Sequence, residues 1–180
     1  MELMTPKRCK HYKRPRKPRI IEYIVIHYPG SVANGEQQCH YYTRCNRVVS
    51  AHYVVDDEKV YSCLPDRLIA FHVVSSGNVR NDNAIGIDLV AHKENLNHIS
   101  AYDLDWYHTP QTLTTAAKLV ATLLQTYQLP ISHVVRHYDV TGKRCPATMV
   151  GRYTQIHWLQ SGDTLWNNFL SMIELELGTD

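Results

Sequence analysis

Apolar and polar residues follow two different periods along this chain, and these periods predict strands and helices that succeed one another. β-Branched residues crowd positions 20–27, and Pro29-Gly30 ends the run, so a buried strand with His27 at its carboxyl end is predicted. By the same criteria, further strands are predicted over 48–55, 60–64 and 84–91 and at Val134-Val135, with 56–59 as the turn of a hairpin.

Three segments have the pattern of helices. These helices are predicted over 35–45, 110–128 and 163–177. In the second, apolar residues recur at intervals of three and four, Thr109 is a candidate N-cap, and Pro110 suits the first turn. The third is amphipathic, with Ser161 or Asp163 as its cap. Residues 92–110 show neither period and are interpreted as an irregular loop.

The alternation of strands with helices predicts an α/β fold: a single domain whose central mixed β-sheet is flanked by helices on both faces. The hairpin of 48–55 and 60–64 makes the sheet mixed, because its strands run antiparallel. A chain of 180 residues fits one such domain. We therefore expect a basic N-terminal arm over 1–19 and the folded domain over 20–180.

The arm concentrates positive charge. Its eight basic side chains stand against one acid, Glu2, so residues 1–19 carry +7 and the remainder carries −5 of the net charge of +2. Such an arm is typical of contact with an anionic polymer or another protein, and equally of a solvated tail. No apolar run reaches the ~20 residues of a membrane span, and the start lacks the apolar stretch of a secretory signal.

The five cysteines are an odd number, so they cannot all pair within the chain. Without a secretory signal, reduced thiols are the expected state. Cys39 and Cys45 lie six positions apart and could form a local bridge, although nothing in the sequence requires one.

The segment 136–146 carries the clearest candidate chemistry. His137 and Cys145 lie eight positions apart with Gly142 between them, so a loop that turns back there can bring an imidazole and a thiolate to one metal ion. Zinc takes nitrogen and sulfur ligands tetrahedrally, and a catalytic zinc has three protein ligands and one open position. His27, at a strand end, is the candidate third ligand. The alternative is a turn in which the histidine and the cysteine are incidental.

Four motifs occur in order along the chain: IVIH at 24–27, SAHYVVDD at 50–57, NAIGID at 83–88 and RHYDVTGKRCP at 136–146. Together they resemble the zinc-dependent N-acetylmuramoyl-L-alanine amidases of the amidase_2 type, a group that includes phage endolysins and is similar to the peptidoglycan recognition proteins. The resemblance spans residues 20–150. It implies a hydrolase that holds one zinc ion and cuts the amide bond between N-acetylmuramic acid and L-alanine in peptidoglycan.

The resemblance also implies residue roles. His27, His137 and Cys145 match the zinc ligands of the family. Lys143 matches a lysine that stabilises the developing oxyanion, as a nearby cation does by offsetting negative charge. Asp88 matches a strand position where many relatives carry a glutamate that handles the proton of the attacking water. Aspartate is one methylene shorter, and the alternative interpretation of this residue is a buried structural acid.

Other positions complete the candidate site. His72 resembles a histidine of the cleft wall that touches substrate in the family, and Tyr28 is expected to line the same groove. His52, within a predicted strand, is interpreted as a core histidine. Some relatives carry a tyrosine just before this histidine, but Ala51 stands there, so the two candidate catalytic residues are expected to share the acid–base and electrostatic work.

Two other functions stay open from the sequence. One is a peptidoglycan-binding module of the same fold that does not cut. The other is a zinc-stabilised nucleic-acid binder, suggested by the basic arm, although no finger-like cysteine spacing is present. For an amidase, the sequence is compatible with cytoplasmic synthesis and action on the wall after release, as in phage lysins, and with cytoplasmic recycling of soluble muropeptides. A monomer is expected.

Overall fold

The computed structural model describes residues 3–4, 9–73, 77–151 and 161–178. Its strands and α-helices are, in chain order, β1 (Leu3–Met4), β2 (Tyr23–His27), α1 (Gly35–Arg44), β3 (Tyr53–Val55), β4 (Val60–Ser62), β5 (Ala84–Leu89), β6 (His92–Lys93), β7 (Trp106–Tyr107), α2 (Pro110–Tyr127), β8 (Val134–Arg136), α3 (His137–Thr141) and α4 (Gly162–Leu177). Short 3-10 helices cover Ile131–His133 and Ala147–Met149.

Six strands form one mixed sheet in the order β1-β4-β3-β5-β2-β8. β3 and β4 are antiparallel, as the predicted hairpin requires, and the other neighbouring strands of this sheet are parallel. β2 lies between β5 and β8, and its register pairs His27 with Asp88. Because parallel strands end at the same edge of a sheet, these two candidate residues stand side by side there.

Helices cover both faces of the sheet, which confirms the predicted α/β architecture. Adjacent residues of β3 show the division, because successive side chains of a strand point to opposite faces. Val55 is buried with Leu124 of α2 and Phe169 of α4. Val54 is buried on the other face with Cys39 of α1. The sheet therefore has a hydrophobic core on each side.

The predicted start of α2 is confirmed. The Thr109 hydroxyl accepts a hydrogen bond from the backbone N–H of Thr112, and Pro110 opens the helix. Proline suits this position because the first turn of a helix has no intrahelical use for its N–H. α4 begins after Ser161, which occupies the N-cap position, but its side chain makes no capping hydrogen bond.

The strands are shorter than predicted, and residues 92–110 are not wholly irregular. β2 begins at Tyr23 because Ile20, 78% exposed, lies outside the sheet, and the 67% exposed Val48 likewise precedes β3. Within 92–110, β6 and β7 form a small antiparallel sheet, so the prediction of an irregular loop is wrong there. Strands of two residues are too short to show a period of two.

A buried lysine ties this segment together and holds it beside the site. The Lys93 side chain is 2% exposed, and its Nζ lies 2.6 Å from Asp105 Oδ1 and 3.2 Å from Asp103 Oδ2. Ala101 lies between β6 and Asp103 in the sequence, and its carbonyl accepts a hydrogen bond from the Tyr28 hydroxyl. The segment is therefore fixed against the chain that follows β2.

Residues 9–19 of the basic arm lie against the body, whereas Lys7 and Arg8 lie outside the described residues. The Cys9 N–H donates to the Cys63 carbonyl, and Lys13 forms an isolated antiparallel bridge with Ile69. The Arg19 guanidinium donates to the backbone carbonyls of Asp66, Leu68, Asn81, Asp82 and Ala84. These contacts hold the backbone between Cys9 and Arg19, which bears the basic side chains, against the body.

The structure pairs Cys39 of α1 with Cys63, just after β4, in a disulfide with Cα atoms 6.0 Å apart. Cys45 is a free thiol, so the local bridge to Cys39 is not formed. The expectation of reduced thiols is likewise wrong for this pair. The bridge joins α1 to the sheet, a contact that the sequence spacing did not indicate.

Reduction of the bridge is expected to lower the free energy of unfolding by about 3 kcal/mol, because the bridge closes a loop of 24 positions in the unfolded chain. Urea unfolding with and without a thiol reductant measures the difference. Cys45→Ser is the matched control and should leave that difference unchanged. Coincident unfolding curves for oxidised and reduced protein would contradict the pairing.

Candidate active site

A cavity of about 220 Å³ opens at the edge of the sheet where β2, β5 and β8 end. Each residue that the sequence analysis selected for the site lines it: His27, Tyr28, His72, Asp88, His137, Lys143 and Cys145. The structure therefore brings all seven together, from four separate parts of the chain.

The strand ends and one tight loop deliver the three candidate metal ligands. His27 is the last residue of β2, and His137 follows β8 directly as the first residue of α3. Gly142 ends α3 with φ 73°, in the left-handed region where a glycine has no steric penalty. The Tyr138 N–H then donates to the Cys145 carbonyl at 2.9 Å, which closes the loop as predicted.

The three candidate ligand atoms lie within 4.8 Å of one another. Nδ1 of His27 lies 3.1 Å from Nδ1 of His137 and 3.9 Å from Sγ of Cys145, and all three side chains are buried. With Zn–N of about 2.0–2.1 Å and Zn–S of about 2.3 Å, tetrahedral ligands lie ~3.3 Å apart for two nitrogens and ~3.6 Å for nitrogen and sulfur. The donor set and its spacing therefore fit one zinc ion.

Burial sets the protonation of these ligands. Burial, with a further contribution from His72, lowers the pKa of His27 well below its usual value. Burial and Lys143 lower the pKa of His137 to about 4, so both imidazoles are neutral and have a free lone pair. Burial raises the pKa of the Cys145 thiol to about 12. A cation that binds here must displace that proton, so metal binding is coupled to proton release.

Asp88 is a buried carboxyl with one partner from α1. The Tyr42 hydroxyl donates a hydrogen bond to its Oδ2. Burial raises the pKa of Asp88 to about 6, although the Tyr42 hydrogen bond and Lys143 lower it. A carboxyl with a pKa near neutrality can both accept and return a proton.

Tyr42 is one of several residues that line the cavity without having been predicted from the sequence. It lies four positions after Gln38, so the two share one face of α1, and both line the cavity. An aromatic residue on the buried face of an amphipathic helix is typical of core packing, and Tyr42 does pack in the core around Val54. Its hydroxyl group, which reaches Asp88, has no separate signal in the sequence.

The remaining predicted residues take different positions. The Tyr28 hydroxyl is bonded to Ala101, so its ring forms the cavity wall. Lys143 is exposed at the cavity rim. Nδ1 of His72 lies 3.0 Å from Nε2 of His27.

His52 is fully buried, accepts the Gly86 N–H at Nδ1 and has Nε2 3.1 Å from the Leu68 carbonyl, so its interpretation as a core histidine is confirmed.

A buried His–His–Cys group that could hold a metal ion, at the carboxyl edge of a mixed sheet and beside a carboxyl of raised pKa, is an arrangement typical of α/β metal-dependent hydrolases. Comparison with known families agrees with this class. The profile of Amidase_2, described as N-acetylmuramoyl-L-alanine amidase, matches residues 15–148. The chain belongs to this family.

Curated relatives and solved structures extend the comparison. The chain is 31% identical over 158 residues to a probable N-acetylmuramoyl-L-alanine amidase of Bacillus licheniformis, a match that covers 79% of this chain and 41% of the relative. It is 29% identical to the N-acetylmuramoyl-L-alanine amidase CwlL of the same organism, over 83% of this chain and 42% of that protein. The chain thus spans about two fifths of these relatives. The catalytic domain of XlyA has the same fold, with a TM-score of 0.70 at 20% identity over 96% of this chain and 99% of that one.

Among the helices of the described residues, none combines the length and the apolar character that crossing a membrane requires.

In the metal-free protein, Asp88→Asn is expected to flatten the loss of stability with rising pH. The folded-state pKa of Asp88, about 6, lies above the ordinary 3.8. Below pH ~4 the carboxyl is protonated in the folded and the unfolded state, so it does not lower the free energy of unfolding. As the pH rises through 6 the buried carboxyl ionises, and the free energy of unfolding falls. The difference of about two units between these two pKa values lowers the free energy of unfolding by about 3 kcal/mol between pH 4 and pH 8. Urea unfolding of both proteins across this range measures it, and parallel curves would show that this carboxyl is unperturbed.

Proposed function

We propose that this chain is a zinc hydrolase that cuts the amide bond between N-acetylmuramic acid and L-alanine in peptidoglycan. The observation that carries the proposal is the buried His27–His137–Cys145 group with Asp88 in the same cavity, in a member of this amidase family. Three protein ligands leave the open position that distinguishes a catalytic zinc from a structural one.

His27, His137 and Cys145 would hold one zinc ion. When bound, zinc supplies a Lewis acid that polarises the scissile carbonyl and activates water near neutral pH. The two neutral imidazoles need no deprotonation to act as ligands, and the buried thiol gives up its proton on binding.

Asp88 would transfer the proton, Tyr42 would position Asp88, and Lys143 would stabilise the developing negative charge. Asp88 takes the proton of the attacking water and returns it to the nitrogen of the leaving amine as the amide bond breaks. The Tyr42 hydroxyl holds this short carboxylate in place and favours its ionised form. Lys143, at the rim, offsets the negative charge that develops on the carbonyl oxygen.

The same residues favour an enzyme over the alternatives. A peptidoglycan-binding module does not need an ionisable acid beside a complete His–His–Cys set, and both are in this cavity. A nucleic-acid binder is supported by the basic arm alone. The candidate ligands and Asp88 all come from one chain, so the proposed site needs no residue of a second copy, and we propose a monomer as the active form.

The test is the release of stem peptides from insoluble peptidoglycan, identified by mass spectrometry. We expect peptides with a free N-terminal L-alanine, loss of release on chelation, and recovery with zinc. Cys145→Ser should be inactive, because a hydroxyl replaces the thiolate ligand, whereas Cys45→Ser, at a free thiol outside the cavity, should be active. Binding to the wall without release would favour the binding module. Cleavage of soluble muropeptides alone would point to recycling instead of wall lysis after release.

We also propose that residues 20–180 carry catalysis and that the basic arm over 1–19 holds the enzyme on an anionic wall polymer. Lys13, Arg16 and Lys17 line a surface groove of about 560 Å³. Within the part of the chain that the structure describes, none of these three cations takes part in a salt bridge. Cations without a carboxylate partner are available to a polyanion, which they attract by releasing its counterions.

Neutralisation of Lys13, Arg16 and Lys17 to serine is expected to weaken sedimentation with intact wall several-fold at low salt and to leave cleavage of a soluble muropeptide unchanged. The charge-matched control replaces three exposed cations elsewhere, Arg44, Arg67 and Lys118, with serine. Wall from which the anionic polymer has been stripped should bind both variants and the wild type equally weakly. Equal sedimentation of all three with unstripped wall would show that the arm is a solvated segment.

A further inference from the structure

The ring of His72 lines the cavity and also contacts His27, the candidate metal ligand. Its Nδ1 lies 3.0 Å from Nε2 of His27, the ring nitrogen remote from the other ligands. The two rings are edge-on, with centroids 5.1 Å apart and an interplanar angle of 88°. This geometry allows one hydrogen bond between the rings, and its direction depends on which nitrogen carries the proton.

The ligand spacing sets that direction. Nδ1 of His27 is the atom close to both His137 and Cys145, so it is the nitrogen that must offer its lone pair to a metal. The proton of the neutral imidazole must then be on Nε2, and Nε2–H can only donate. Nδ1 of His72 therefore accepts, which leaves the proton of His72 on its own Nε2.

The surrounding structure holds His72 in the accepting position. The backbone N–H groups of His72 and Val73 both donate to Oδ1 of Asn81, at 3.0 and 2.9 Å. Under the ring, Gly86 of β5 provides the space, because a Cβ there would lie 2.5 Å from Cγ of His72. Nε2 of His72 is buried and makes no hydrogen bond of normal geometry among the described residues, and the backbone of Ala84 and the edge-on ring of His52, with centroids 5.8 Å apart, also contact the ring.

We propose that His72 is a positioning residue that fixes the protonated Nε2 tautomer of His27 and thereby presents Nδ1 of His27 to the metal. The inference rests on the zinc site proposed above. Metal-binding histidines are commonly oriented by a hydrogen bond from their second nitrogen to a carboxylate, carbonyl or water, and here a second histidine supplies the acceptor. This role differs from the direct contact with substrate that the resemblance implied.

The experiment is the zinc dissociation constant of the full chain, measured by competition with a chromophoric chelator. His72→Ala removes the acceptor and is expected to weaken zinc binding about ten- to a hundred-fold. His72→Asn places an amide oxygen near the former Nδ1 and should recover most of the affinity. Gly86→Ala leaves His72 in the sequence but displaces its ring, and it should weaken binding in the same direction.

His108→Ala is the matched control. This histidine is also buried and hydrogen-bonded, to the Val90 carbonyl and the Thr148 hydroxyl, but it does not line the cavity. It should lower stability without changing zinc affinity, and circular dichroism establishes that each variant is folded.

Three outcomes would separate the possible errors. If the wild type binds zinc and His72→Ala binds it equally well, the positioning role is overturned, and an isolated rise in KM would then make His72 a substrate contact. If His72→Asn is as weak as His72→Ala, the hydrogen-bond acceptor is not what matters, and the tautomer argument is overturned. If the wild type itself binds no zinc, the proposed metal site fails first, and this inference fails with it.

Discussion

The parallel pairing of β2 with β5 and β8 is the constraint on which the rest of the structure depends. Parallel neighbours end at the same edge of a sheet, so one register places His27 beside Asp88 and starts α3, with His137, on the other side. The register is held by Ile24 and Ile26, both fully buried under α2 and α4. A slip of one position would turn these side chains to the opposite face and move His27 away from Asp88 and His137.

The site that results is a concentration of buried polar groups, which costs free energy unless each group has a partner. The structure provides these partners in pairs: Tyr42 for Asp88, and His72 for the second nitrogen of His27. Among the described residues of the site, two groups are left without such a partner. One is Nε2 of His72, which is buried. The other is the thiol of Cys145, whose pKa is raised by its burial. A cation at the centre would resolve this cost, since it compensates the thiolate and uses the lone pairs of both imidazoles. In this account the metal therefore contributes to stability as well as to chemistry.

Much of this site could be predicted from the sequence, because the strand end and the loop that carry the candidate ligands each have a local sequence signal. A run of β-branched residues ends at His27, and a glycine at 142 separates His137 from Cys145, so strand end and loop are both visible in the sequence. The start of α2 at Thr109 was equally visible, because its capping signals lie within a few residues.

What the sequence did not indicate depends on contacts between distant segments. The disulfide of Cys39 with Cys63, the hydrogen bond of Tyr42 with Asp88, and the contact of His72 with His27 each join separate elements of the fold. No pattern of spacing marks such pairs. The small β6–β7 sheet was missed for a different reason, because two residues per strand cannot establish a period.

The most direct test of the account is zinc X-ray absorption on the full chain after reconstitution with one equivalent of zinc. We expect a four-coordinate ion with one sulfur at about 2.3 Å and nitrogen or oxygen ligands at about 2.0–2.1 Å, and the loss of the sulfur in Cys145→Ser. A zinc environment without sulfur, or one that is identical in Cys145→Ser, would contradict the assignment of His27, His137 and Cys145 as the ligands and with it the proposed hydrolase.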